Sequence, residues 1–90
     1  MIHELKTWPE YFQAIVQGDK TFDLRRDDRK FMPGDHIKLL EYVPAGTGVY
    51  QPNSIGHYTG AHITLKITYV MHGGRFGLEN GYCILGFQPI

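Results

Sequence analysis

Between Gly18 and Phe31 the chain reads GDKTFDLRRDDRKF, and this segment holds five of the nine Lys and Arg residues and four of the nine Asp and Glu. Thr21, Asp23 and Arg25 alternate with Phe22 and Leu24, so an extended backbone would carry the polar trio on one face and the apolar pair on the other. Lys20 precedes that polar face, and Arg26, Arg29 and Lys30 follow it. Arginine matches phosphate with a rigid fork of donors, lysine supplies a point charge, and a carboxylate accepts from the amine or ring NH of a base. Lys20, Thr21, Asp23 and Arg25 could therefore hold a base or nucleotide, with Arg26, Arg29 and Lys30 for phosphate. The same residues also suit a solvated row of salt bridges, Asp23 with Lys20 or Arg25 and Asp27 or Asp28 with Arg29, each worth about 0 to 1 kcal/mol.

Other chemistries find little purchase. The stretch GGRFG is a glycine turn without the flanking aromatics of an RNA-binding strand, and there is no phosphate-cradling glycine loop or GxSxG elbow. Five histidines invite a metal, but His57 and His62 flank a glycine-bearing loop and lack a companion cysteine or an HExxH pair, so neither a metal nor a cofactor is expected. Cys83, the lone cysteine, lies in the apolar run YCILGF and reads as a small buried hydrophobe. Zero formal net charge excludes a whole-surface attraction to nucleic acid or acidic membrane, leaving any polyanion contact to a local patch.

The elements that must position these residues follow from pattern. Ninety residues with 42% hydrophobic and 20% charged content suit a single domain, 1–90, with one small core. After a strand-like IHELK, the segment TWPEYFQAIVQG predicts a helix: Thr7 and Glu10 as a capping box, Pro9 in the first turn, Gly18 as the exit. Trp8, Tyr11, Phe12 and Ile15 form its apolar face. A half-buried strand from Thr21 ends in a loop and a Pro33-Gly34 turn. HIKLLEYV is the next strand, with Ile37, Leu39 and Val43 on one face beside Glu41, which needs a partner if buried. PAGTGVYQPNSIGHYTG reads as a long hairpin excursion. AHITLKITYVM predicts a strand burying Ile63, Leu65, Ile67 and Tyr69, and YCILGF one buried on both faces. One helix and five or six strands imply an α+β domain, a mostly antiparallel small barrel with the helix against it. The charged N-terminus MIHELK does not read as a signal peptide, no run spans a bilayer, and unpaired cysteine fits a reducing compartment, so a cytoplasmic location is expected.

The succession HELK, WPEYF, GDKTFDLRRDDRKFMPGD, TYV and GYCILGF resembles the small ASCH-type branch of the PUA-like superfamily, and more closely its short bacterial and phage members of unknown function. That resemblance covers nearly the whole chain and implies a β-barrel with a cleft beside the helix. It implies RNA binding, single-stranded more than duplex, with a nucleotide or modified base held by Lys20, Thr21, Asp23 and Arg25, and Arg29 at the rim. Tyr42, Tyr50 or Tyr58 could then stack on a base. Some ASCH proteins instead deacetylate N4-acetylcytidine with a Lys, a Thr and a Glu. Lys20 occupies the lysine position here, Asp23 stands at the threonine position, and Glu41 and Glu79 are the downstream glutamates. A third class, a protein-interaction module built on a sheet edge or the long loop, uses none of this chemistry.

Overall fold

A computed structural model of the chain describes residues 1–46 and 55–90. The elements run β1 (Ile2–Thr7), α1 (Pro9–Val16), β2 (Phe22–Arg26), β3 (His36–Val43), β4 (His57–His72) and β5 (Tyr82–Pro89). They form one five-stranded sheet in the order β1-β3-β4-β5-β2, with β1 parallel to β3 and the other three pairings antiparallel. The protein is thus α+β and mostly sheet. The sheet curls into a half-barrel, and no main-chain ladder joins its two edge strands, β1 and β2. Side chains span that seam instead. Arg25 on β2 donates from Nη1 to the Lys6 carbonyl at 2.8 Å and from Nη2 to Thr7 Oγ1 at 2.9 Å, and Arg29 Nη1 donates to the Glu4 carbonyl at 3.0 Å. Carbonyls two residues apart on a strand leave by the same edge, so the arginines satisfy acceptors that a sixth strand would otherwise take.

The concave face carries the core. Leu5, Ile37, Leu39, Leu65, Ile67, Cys83, Leu85 and Phe87 are buried there, joined by Phe12 and Ile15 from α1 and Phe31 from the β2–β3 connection. Burying a side chain of this size contributes about 1.5–3 kcal/mol, a sizeable share of a net stability of about 0.1 kcal/mol per residue. Glu41 shares the face and is buried, and it accepts from Gln13 Nε2 at 3.0 Å and Thr59 Oγ1 at 2.7 Å. The need for a partner is met from α1 and β4.

Several expectations are corrected. Thr7 does not cap α1: Trp8 occupies the N-cap without a side-chain cap bond, and the Thr7 hydroxyl is taken by Arg25. The helix starts on Pro9, which forfeits no donor in the first turn, and leaves through Gly18 at φ 84°. A register shift between Ile67 and Tyr69 reverses the side-chain phase of β4, so Tyr69 faces solvent and Val70 packs on the core in its place. β5 is buried on alternate residues, at Cys83, Leu85 and Phe87, and not on both faces. The β3–β4 hairpin exists as expected, but Tyr50 and the rest of 47–54 lie outside the described residues.

Candidate functional site

The polar alternation of β2 is real, and its polar phase is the one that turns inward. Asp23 is opposite Leu85 and Arg25 opposite Cys83, both core residues, whereas Phe22 and Leu24 lie on the other face at 50% and 55% exposure. Asp23 is buried at 7% because its charge is answered on both oxygens. Lys20 Nζ reaches Oδ1 at 2.5 Å and Arg25 Nε reaches Oδ2 at 2.6 Å. A buried carboxylate without such partners would be expelled or protonated. The helix exit sets this geometry, since the amides of Asp19 and Lys20 both bond the Ala14 carbonyl and turn the chain so that Lys20 falls back against β2.

Around this triad lies a recess of about 400 Å³ between α1, the end of β1 and β2. Lys20, Asp23 and Arg25 supply its polar wall, with Lys6 and Thr7 from β1. Trp8, Tyr11, Phe22 and Leu24 supply the rest, and all four are about half exposed. Trp8 and Tyr11 stack with ring centres 6.3 Å apart and planes 26° from parallel. The Lys20 ammonium sits 5.5 Å from the Tyr11 ring and 5.1 Å from Phe22, so it is framed by π faces as well as by Asp23. A slot with aromatic walls and one charged wall suits a flat, polar-edged ligand.

A second groove, of about 520 Å³, adjoins the first across Lys6 and Arg25, which line both, and adds Arg29 and Tyr58. A third, about 220 Å³, holds Arg26, Asp28 and Arg29 beside Phe31. Of the residues singled out from sequence, Lys20, Asp23 and Arg25 come together, while Arg29 lies in the adjoining groove. Arg26 is exposed, its guanidinium 5.8 Å from the Tyr82 ring. Thr21 and Lys30 are exposed and line none of these three recesses, and Lys30 sits in a left-handed turn at φ 51°. Thr21 shares the parity of Asp23 and Arg25 but precedes β2, which begins at Phe22, so the inward phase of the strand does not extend to it. Tyr42 and Tyr58 meet edge to face, 5.0 Å apart, with the Lys6 ammonium 4.5 Å from the first ring and 5.7 Å from the second.

Sequence reasoning missed Lys6, Thr7, Trp8 and Tyr11. The apolar stripe of α1 was assigned wholly to the core, yet only Phe12 and Ile15 are buried. A proline directly after Trp8 was the available signal, because it ties the indole to the helix start, where the core cannot close over it.

The profile of the family described as Domain of unknown function (DUF3850) matches residues 2–87. The chain belongs to the DUF3850 family. The DUF3850 domain is also 32% identical over 69 residues to an uncharacterized 12.9 kDa protein in the GpA 3′ region of Escherichia phage P2. That match covers 77% of this chain and 53% of the phage protein, so the chain spans about half the length of the curated relative it matches. Among the described residues no helix is long and apolar enough to cross a membrane.

Proposed function

We propose that this DUF3850 domain is an ASCH-type, PUA-like half-barrel that binds RNA by holding one unstacked base in the recess between α1 and β2. One observation carries the reading: half-exposed aromatic rings, Trp8, Tyr11 and Phe22, stand beside a buried carboxylate clamped between Lys20 and Arg25. The rings offer a stacking surface to any base, and the polar wall offers both donors and acceptors to its edge. Arg25 serves mainly as scaffold in this reading, since each of its three nitrogens already donates, to Asp23, Lys6 and Thr7. Binding is favoured over amide hydrolysis by the same residues. Lys20 Nζ is taken up by Asp23, whereas a general base needs its nitrogen free to meet the substrate. The Thr7 hydroxyl is occupied by Arg25, Glu41 is engaged with Gln13 and Thr59, and Glu79 is exposed.

Trp8 is the only tryptophan, so its fluorescence reports the recess directly. Titration with short single-stranded homopolymeric RNAs is expected to quench it saturably, less so as salt rises. Phe22→Ala, at a half-exposed position, is expected to keep the fold and weaken binding about tenfold or more, given about 1–3 kcal/mol per base–aromatic stack. No quenching, and no heat of binding, from any of the four homopolymers at millimolar nucleotide would defeat the proposal.

A further inference from the structure

The groove adjoining the recess carries positive charge that no ion pair among the described residues neutralises. Among the described residues neither Lys6 nor Arg29 is in an ion pair, although Lys20 and Arg25 share Asp23 a short distance away. Arg29 spends one nitrogen on the Glu4 carbonyl and keeps the rest of its fork. Lys6 is held by ring faces alone, those of Tyr42 and Tyr58, which position an ammonium without cancelling its charge. The one carboxylate at this groove, Glu4, is 62% exposed and leans toward Lys38 at 3.9 Å. Gly56 maintains the arrangement, because a Cβ there would fall 2.1 Å from the Tyr42 hydroxyl. Two uncompensated cations in a concave groove next to an aromatic slot form a site for an oxyanion.

We infer that Lys6 and Arg29 form a phosphate subsite, taking the phosphate attached to the nucleoside whose base enters the recess. The inference rests on the base-binding reading and deepens it: the ligand is a nucleotide, and Lys6 on β1, rather than Lys30, is the lysine that meets its phosphate. Lys6 and Arg25 belong to both concavities, so base and phosphate would straddle them in one continuous trough.

The test compares the four ribonucleosides, their 3′- and 5′-monophosphates and the matching dinucleoside monophosphates, by Trp8 fluorescence and calorimetry, on wild type, Lys6→Gln and Arg29→Lys. Adding a phosphate is expected to tighten binding about tenfold in wild type and to add little in Lys6→Gln. With single-stranded homopolymeric RNA as ligand, the slope of log affinity against log salt is expected to shrink in magnitude by about 0.7 in that variant, one phosphate contact's worth on a single strand. Arg29→Lys, which keeps the charge and loses the fork, is expected to retain part of the gain. Preference for the monophosphates would assign the subsite to a terminal phosphate, and preference for the dinucleotides to an internal diester; either supports it. Equal affinity for nucleoside and nucleotide in folded wild type, with the salt slope unchanged in Lys6→Gln, would overturn the phosphate subsite and leave the base recess standing. Absence of binding by every compound and by RNA would overturn both.

Discussion

Replacing Arg25 by alanine tests whether side chains hold the seam. The side chain is 20% exposed and its guanidinium makes three contacts: Asp23 at 2.6 Å, the Lys6 carbonyl at 2.8 Å and Thr7 Oγ1 at 2.9 Å. The two bonds to β1 are worth about 1 kcal/mol each net, and leave a buried hydroxyl and an edge carbonyl short of a donor when removed. The ion pair adds about 1 kcal/mol, held down by partial exposure and by Lys20, which still answers Asp23 in the variant. The expected loss is about 3 kcal/mol, or about 12–24 °C in Tm for a domain of this size. Arg25→Lys retains charge without reach and is expected to recover only the ion-pair part. Arg26→Ala on the same strand, exposed and touching only a ring face, is expected to stay within about 0.5 kcal/mol of wild type. Urea denaturation followed by circular dichroism measures all three. An Arg25→Ala variant as stable as Arg26→Ala would refute the reasoning and return the arginine to the solvated face.

Two further outcomes follow from titratable groups outside the recess. Hydrogen bonding to His3, aided by the Met32 amide and the N-terminal charge, holds the Asp35 carboxyl below its usual value of 3.8 against an opposing desolvation. A carboxyl depressed on folding stabilises the fold above its unfolded pKa and loses that contribution as pH falls through the folded one. The stability gap between wild type and Asp35→Asn is therefore expected to be constant near pH 5 and to close below about pH 3.8; a gap that widens on acidification would contradict this. Burial first, then the Asp27 and Asp28 carboxylates, push the Cys83 thiol up to about 11. Iodoacetamide at pH 8 is expected to label it only as fast as the chain unfolds, and equal labelling rates with and without urea would show the thiol to be open.

Much of the fold was legible from periodicity, and the misses have specific causes. β3, the hairpin and the glycine exit of α1 follow from local pattern, because Ile37, Leu39 and Gly18 each have one low-energy placement. On β2 the pattern conveys alternation but not which phase turns inward. Hydrophobicity alone points Phe22 and Leu24 at the core, and the structure does the reverse because Lys20 and Arg25 together make an inward Asp23 tolerable. Thr7 fails as a cap for a related reason: its neighbour in sequence is the helix, but its partner in space is Arg25, eighteen residues on. The bulge that turns Tyr69 outward leaves no mark in AHITLKITYVM, since either phase presents an acceptable alternation. The candidate site was half legible. Lys20, Asp23 and Arg25 of its charged wall were read from one segment, while Lys6 and Thr7 on β1 were not, nor were Trp8 and Tyr11, because α1 divides a single apolar stripe between interior and recess.

The arginine clasp across the seam also bears on how the protein behaves in concentrated solution. A sheet margin invites a neighbouring molecule's strand to the extent that its carbonyls stand vacant. On β1 those of Glu4 and Lys6 already receive guanidinium protons. The fastening that spares this small half-barrel a sixth strand also blunts its margin against aggregation, and both duties fall to two residues on a five-residue strand and the loop behind it.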